Sequence, residues 1–124
     1  MARLLKHAEP KSVKLICLAN MKDISSFIVK HEDLFRSKIK EVVAMGGAVY
    51  SEAREQIIPD GTASNNSTDL NATRHVYAEC QQNNIPTTTI SRYAAYGSPL
   101  NISFLDGLKK SNHLLAVEVR DANF

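Results

Sequence analysis

The sequence predicts an α/β domain whose mostly parallel sheet is flanked by helices. Two apolar runs, Val13–Ala19 and about Ile39–Met45, are typical of strands buried in a parallel sheet. A third run, Ile85–Ser91, is rich in the β-branched residues that strands favour. Each of these runs is followed, directly or after a loop, by a segment with apolar residues at helical spacing. This alternation of strand and helix indicates a parallel sheet covered by helices.

The first predicted helix follows the first strand, and a long polar segment follows the second. Apolar residues recur at helical spacing from Ile24 to Leu34, and Asn20 or Asp23 can cap this helix. Residues 48–67 are polar and contain a Ser/Asn cluster. They predict a loop of about 20 residues, a length that is usually functional or inserted.

Two more helices complete the predicted element order. The second helix begins at Thr68 or Asp69 and ends at residues 83–84, which are both asparagine. The last helix is predicted over residues 102–115, with an interruption near residues 111–112.

Length and composition limit the class of protein. The chain has 124 residues, of which 44% are hydrophobic and 23% charged, and a formal net charge of +2. These values are ordinary for a globular domain and give no charge pattern that favours nucleic acid. We assign residues 1–12 to an N-terminal tail and residues 13–124 to the domain. With no membrane-length apolar run and no signal peptide, a cytoplasmic location is expected, and an organellar one stays open.

The cysteines and histidines indicate no metal site. Cys17 and Cys80 fall within a predicted strand and a predicted helix, so we expect reduced, buried thiols. The four histidines are not spaced as ligands on one helix face, and no Cys-x-x-Cys pair occurs.

A candidate ligand site lies where the second strand ends. Met45 is followed by Gly46 and Gly47, which allow the backbone to approach a ligand closely. In an open parallel sheet, ligands bind beyond the carboxyl ends of the strands. Asn65 and Asn66 follow in the polar segment, and their amides could bind sugar hydroxyls. The alternative is a plain turn followed by a loop that leads to a helix cap.

Three charged residues form a possible polar site near this turn. Asp60 is otherwise a turn residue, and Asp69 is otherwise a helix cap. Arg92, at the end of the third strand, could hold a carboxylate or phosphate group, or pair with Asp60 or Asp69.

The order of these motifs resembles the inosine–uridine preferring nucleoside hydrolase family over roughly residues 13–117. The most specific match is a strand that ends in Met-Gly-Gly-Ala, here residues 45–48. An Asp-anchored helix starting at Asp69 and a strand opening at Ile85 also match, whereas Ser-Asn-Asn replaces the family's Glu-Phe-Asn. The resemblance implies a partial, Rossmann-like nucleoside hydrolase core. It also implies hydrolysis of the N-glycosidic bond of ribonucleosides, with Met45 and Asn66 facing the ribose.

The resemblance also implies a calcium ion, for which this sequence lacks the ligands. Family members hold Ca²⁺ with aspartates, and the cation requires six to eight oxygen ligands. The family's Asp-x-Asp-x-x-x-Asp-Asp cluster does not occur here, and Lys22 aligns with a threonine that binds the metal. We therefore expect no cofactor and no catalytic residue, and interpret the chain as a truncated, catalytically degenerate relative.

Two alternatives stay open. The chain could be a non-catalytic structural or interaction subunit of a larger assembly, with a protein partner or homo-oligomer covering an exposed sheet edge. It could also be a small flavodoxin-like domain that binds a phosphate at the turns near Asn20 or Gly47. The ligand expected from the main hypothesis is a nucleoside or another ribose compound.

Overall fold

The computed structural model describes residues 1–98 and 102–110, and the chain divides into two units, Met1–Ala94 and Ala95–Phe124. The elements in chain order are α1 Ala2–Lys6, β1 Val13–Cys17, α2 Lys22–Lys38, β2 Ile39–Met45, β3 Ala48–Ser51, β4 Gln56–Pro59, α3 Ser64–Ser67, α4 Leu70–Gln82, β5 Thr87–Ile90, α5 Arg92–Tyr96 and α6 Ile102–Lys110.

The predicted α/β class with a mostly parallel sheet flanked by helices is confirmed. The first unit contains a three-stranded sheet in the order β1-β2-β5, and both strand pairs are parallel. Strand β2 is therefore central. Along the chain, β2 is added beside β1 and β5 is then added beside β2, in the same direction across the sheet. Connections between parallel strands are usually right-handed, so α2 and α4 lie on the same face of the sheet.

The core lies between this face and the two helices. Val42 and Ala44 of β2 are fully buried there. Phe35 of α2 and Val76 of α4 belong to the same buried cluster. Cys17 and Cys80 are buried and free, as predicted, and burial raises the pKa of both thiols.

The predicted loop over residues 48–67 is wrong, because this segment contains an antiparallel hairpin and a short helix. Strands β3 and β4 pair from Ala48 opposite Pro59 to Ser51 opposite Gln56. A 3₁₀ turn joins them and ends at Glu55 with φ 50°. Strands of four residues, linked through a left-handed glutamate instead of Gly or Asn, give almost no hairpin signal in the sequence.

The predicted ends of the second helix agree with the structure, whereas the N-cap of α2 is Met21 and not the predicted Asn20 or Asp23. The Asp69 carboxylate accepts the Ala72 N–H at 3.0 Å and caps α4, and Asn83 ends that helix. Asn20 Oδ1 accepts the Lys22 N–H at 3.1 Å where α2 begins. The predicted end of the last helix, residues 111–115, lies outside the described residues.

Part of the predicted N-terminal tail is helical. Helix α1 buries Leu5 in the core cluster, and Lys38 Nζ donates to the Ala8 carbonyl at 2.7 Å. None of the helices in the described part of the chain is long and apolar enough to cross a membrane.

The neighbours Ile28 and Val29 offer a matched test of which face of α2 packs on the sheet. Ile28 is 2% exposed and Val29 is 74% exposed. Ile28→Ala should lower the free energy of unfolding by about 2–5 kcal/mol, because it leaves a cavity. Val29→Ala should change it by no more than about 0.5 kcal/mol. Urea denaturation measures both, and equal effects would contradict this packing.

Candidate functional site

The candidate site is built on the turn at the carboxyl end of the central strand. Gly46 has φ 154° and Gly47 has φ 88°, values that residues with a Cβ atom rarely adopt. The Gly46 N–H donates to the Ile90 carbonyl at 3.0 Å, which ties the turn to the end of β5. Met45, the last residue of β2, is partly exposed. The paired glycines therefore form a conformation that most other residues could not.

The side-chain amide of Asn66 holds this turn in place. Its side chain is buried, with 1% of the residue exposed. Its Nδ2 donates to the Gly47 carbonyl at 3.0 Å and to the Asp60 carbonyl at 2.8 Å. A Cβ atom on Gly46 would overlap the Asn66 amide, with Cγ only 2.9 Å away. Gly46 is therefore required for close approach as well as for its φ angle.

Tyr77 is a second buried donor to the same carbonyl, and it was not among the residues predicted for the site. Its hydroxyl donates to the Gly47 carbonyl at 3.2 Å, and the Asp60 N–H reaches that oxygen at the same distance. Burial raises the pKa of Tyr77 to about 12. A tyrosine among the apolar positions of a helix is a usable signal, since a buried hydroxyl requires a partner.

Asn65 joins the ends of two strands. Its Nδ2 donates to the carbonyls of Leu18, just after β1, and Met45, at the end of β2, both at 3.2 Å. The side chain is partly exposed. Both hydrogen bonds of the Asn65 side chain use Nδ2, and among the described residues none donates to its Oδ1.

Asp60, Thr62 and Arg92 form a polar cluster beside the turn. Asp60 Oδ1 accepts the Thr62 hydroxyl at 2.7 Å and the Thr62 N–H at 2.8 Å. Arg92 donates to the Thr62 hydroxyl at 2.7 Å and lies 3.7 Å from Asp60 Oδ2. The hydrogen bonds from Thr62, followed by the charge of Arg92, lower the pKa of Asp60. Of the alternatives for Arg92, the structure shows the pairing with Asp60.

The structure thus brings most of the predicted site residues together, with one exception. Asp69 lies at the start of α4, where its carboxylate serves as the helix cap. Asn66 and Asp60 meet through the Asp60 carbonyl, and Gly47 links both of them to Tyr77.

The candidate-site residues that the structure describes do not fit a calcium site. The Asp60 carboxylate is hydrogen-bonded to Thr62 and faces Arg92, and the Asp69 carboxylate caps a helix. In the part of the chain that the structure describes, no group of three His, Cys, Asp or Glu side chains could hold a metal ion. Calcium requires six to eight oxygen ligands, and the carboxylates of residues 1–98 and 102–110 do not supply such a set.

Comparison with known proteins defines the class of the fold. The sequence matches no protein-family model and no curated protein. Solved structures of nucleoside hydrolase fold, however, superpose closely on it. This chain therefore forms part of a nucleoside hydrolase-like α/β fold.

Two effector proteins are among these structures. One is the type III effector protein XopQ complexed with adenosine diphosphate ribose, with a TM-score of 0.88 and 30% identity. The other is the effector protein XOO4466, with a TM-score of 0.86 and 30% identity. Each match covers 98% of this chain but only 34% and 33% of the respective neighbour. The chain thus spans about a third of the length of the structures that it matches.

Gly46 and Asn66 should be energetically coupled. We expect Gly46→Ala and Asn66→Ala each to destabilise the fold, the first by strain and overlap, the second by removing a buried donor from two carbonyls. The double variant should cost less than the sum by about 0.5–3 kcal/mol, because removing the amide removes the overlap. Urea denaturation measures the cycle. Gly61→Ala is the control, since its Cβ would make only ordinary contact with Leu70. Strict additivity would contradict the predicted overlap.

Tyr77 should make stability depend on pH in the alkaline range. Its pKa is raised from 10.0 to about 12 in the folded state, so the neutral phenol is favoured there. This contribution is complete below pH 10 and is lost as the pH rises through about 12. The stability difference between the wild type and Tyr77→Phe should therefore narrow over this range. Tyr50→Phe, at an exposed position, is the control. Parallel behaviour of both variants in urea denaturation would refute the assignment.

Proposed function

We propose that this chain binds a ribose-containing ligand at the turn formed by Met45, Gly46 and Gly47. The observation that carries the proposal is the geometry of this turn. It lies at the carboxyl end of the central parallel strand, where ligands of open α/β sheets bind, and buried donors hold it in place. The finer proposal is a ribonucleoside or a nucleotide sugar as the ligand. The neighbour XopQ, whose structure contains adenosine diphosphate ribose, supports this choice.

The contacts suggest how a ribose would be recognised. Asn65 Oδ1 can accept a hydroxyl hydrogen, and the Met45 side chain supplies an apolar contact at the edge of the sheet. Both Asn66 Nδ2 hydrogens are used by the carbonyls of Gly47 and Asp60. In this proposal Asn66 therefore shapes the turn, and any direct contact between Asn66 and the ribose would use Oδ1.

The proposal assigns binding, and not hydrolysis, to residues 1–124. Cleavage of an N-glycosidic bond by the family's chemistry needs a calcium-bound water and an aspartate base. Of the two aspartates predicted for the site, Asp69 is engaged as a helix cap and Asp60 in the cluster with Arg92. No step of a reaction is therefore assigned to this chain.

Calorimetric titration with ADP-ribose tests the proposal. The wild-type chain should bind it, and inosine and ribose 5-phosphate should compete, because they share the ribose. Asn65→Ala should weaken binding about two- to ten-fold, because one lost hydrogen bond costs about 0.5–1.5 kcal/mol. Asn71→Ala is the matched control, since Asn71 is exposed on α4, and it should leave the affinity unchanged.

The opposite results are equally clear. If a folded chain, verified by circular dichroism, binds none of these compounds at millimolar concentration, the proposed function is wrong. If binding is unchanged in Asn65→Ala, the ligand lies elsewhere. Release of hypoxanthine from inosine by this chain in the presence of calcium would contradict the assignment of binding without hydrolysis.

A further inference from the structure

A cavity of about 250 Å³ lies between strand β4 and helix α4. Its lining comes from Arg54 and β4 on one side and from α4, between Arg74 and Gln81, on the other. The volume is about eight times the roughly 30 Å³ that one water molecule occupies, and it lies below the ~300–1,000 Å³ of sites for drug-sized ligands. The cavity therefore has the size for a small molecule.

One side of α4 forms a wall of this cavity. Arg74, Ala78 and Gln81 are four and three positions apart, so they lie on the same side of the helix. Ala78 carries only a methyl group, which leaves space between the two longer side chains. Gln81 Nε2 donates to the Ile57 carbonyl at 2.9 Å, and Gln81 Oε1 accepts the Ile57 N–H at 3.2 Å. These two bonds fix the helix against β4 beside the cavity.

The charge of the lining is positive. Arg54 and Arg74 both belong to it, and no Asp or Glu of the described residues lines it. Within the described ranges, neither arginine forms an ion pair or a side-chain hydrogen bond. Arg92, by contrast, lies 3.7 Å from the Asp60 carboxylate. The two guanidinium groups of the cavity therefore keep their donors for a ligand.

The carboxylates closest in sequence do not neutralise these arginines. Glu79, the one acidic residue of α4, has its Oε2 3.5 Å from an Arg36 nitrogen on α2. Glu52 and Glu55 flank Arg54 in the turn between β3 and β4, and neither forms an ion pair with it. The positive charge on the cavity wall is therefore left to solvent or to an anionic ligand.

We propose that this cavity binds a small molecule through a doubly charged phosphate group, which Arg54 and Arg74 hold. Arginine suits phosphate because its planar guanidinium group donates to two oxygens at once. A phosphate monoester carries a charge of about −1.5 to −2 near pH 7, which matches two arginines, whereas a carboxylate carries a single charge. Ile58 and Pro59 add apolar surface to the lining, for the organic part of an ester. Inorganic phosphate and a small phosphate ester share this chemistry.

The proposal does not rest on the ribose site, because none of Met45, Gly46 and Gly47 lines this cavity. The two sites can therefore be tested separately with ligands that carry only one of the two groups. Inosine has a ribose and no phosphate, and inorganic phosphate has no ribose.

Calorimetric titration of the chain with inorganic phosphate at constant ionic strength tests the proposal. Phosphate should bind, sulfate should compete because it is also a doubly charged tetrahedral anion, and acetate should not compete. Arg54→Gln and Arg74→Gln should each weaken phosphate binding about ten-fold or more, because each removes charge-assisted hydrogen bonds. Arg3→Gln is the matched control, since it removes the same charge from an exposed position on α1 and should leave the affinity unchanged.

A larger side chain tests the cavity without changing its charge. Ala78→Leu should abolish phosphate binding, because the added carbon atoms fill the space beside Arg74. Ala94→Leu, at an exposed position on α5, is the control and should bind as the wild type does. Circular dichroism verifies the fold of each variant. Phenyl phosphate distinguishes the two sources of the anion. Tighter binding than that of inorganic phosphate would identify an ester as the ligand, and equal or weaker binding would identify the free anion.

The opposite results overturn the proposal. If the folded wild type binds no phosphate at millimolar concentration, or if neither arginine variant lowers the affinity, the cavity is not a phosphate site. Unchanged binding in folded Ala78→Leu would place the anion outside the cavity. Competition by acetate as strong as that by sulfate would show unselective attraction of anions. Competition by inosine would place the phosphate in the ribose site, whereas binding of inosine without competition leaves both sites standing.

Discussion

The Gly47 carbonyl is the group on which the rest of the site depends. Three donors reach this one oxygen: the Asn66 amide from α3, the Tyr77 hydroxyl from α4 and the Asp60 N–H after β4. Asn66 and Tyr77 are both buried. If the Gly47 carbonyl moved away, each unsatisfied donor would lower the stability of the fold by about 1–3 kcal/mol. The turn, the hairpin and two helices are thus fixed at one point. A carbonyl in this position is possible only because both residues of the turn are glycines with positive φ.

Asn65 and Asn66 are neighbours in the sequence but have different hydrogen-bond partners at this turn. Asn66 donates its amide hydrogens to backbone carbonyls. Asn65 donates to carbonyls at the ends of β1 and β2, and its side chain lies at the edge of the sheet. The prediction that Asn66 faces a ribose stays a prediction. In this geometry the buried amide of Asn66 shapes the turn, and the partly exposed side chain of Asn65 can contact a ligand.

Most of the fold could be predicted because its signals are local. The continuous apolar run of β2 and the capping side chain Asp69 each act within a few residues of chain. The hairpin escaped prediction because its strands are short and its left-handed residue is Glu55. The role of Tyr77 escaped for a different reason. Its bond to Gly47 joins residues 30 positions apart, and no local pattern encodes a distance of that kind.

Met45 connects the central strand to the candidate ligand turn. Its carbonyl accepts from Asn65, while its partly exposed side chain lies beside Ile90 of β5. The same residue therefore positions the asparagine that is proposed to contact a ribose and offers the apolar surface proposed for the same ligand. Because the Gly46 N–H donates to the Ile90 carbonyl, the ends of β2 and β5 hold both contacts in one place. In the proposed site, a ligand that uses both contacts therefore depends on the conformation of the whole turn and not on either side chain alone.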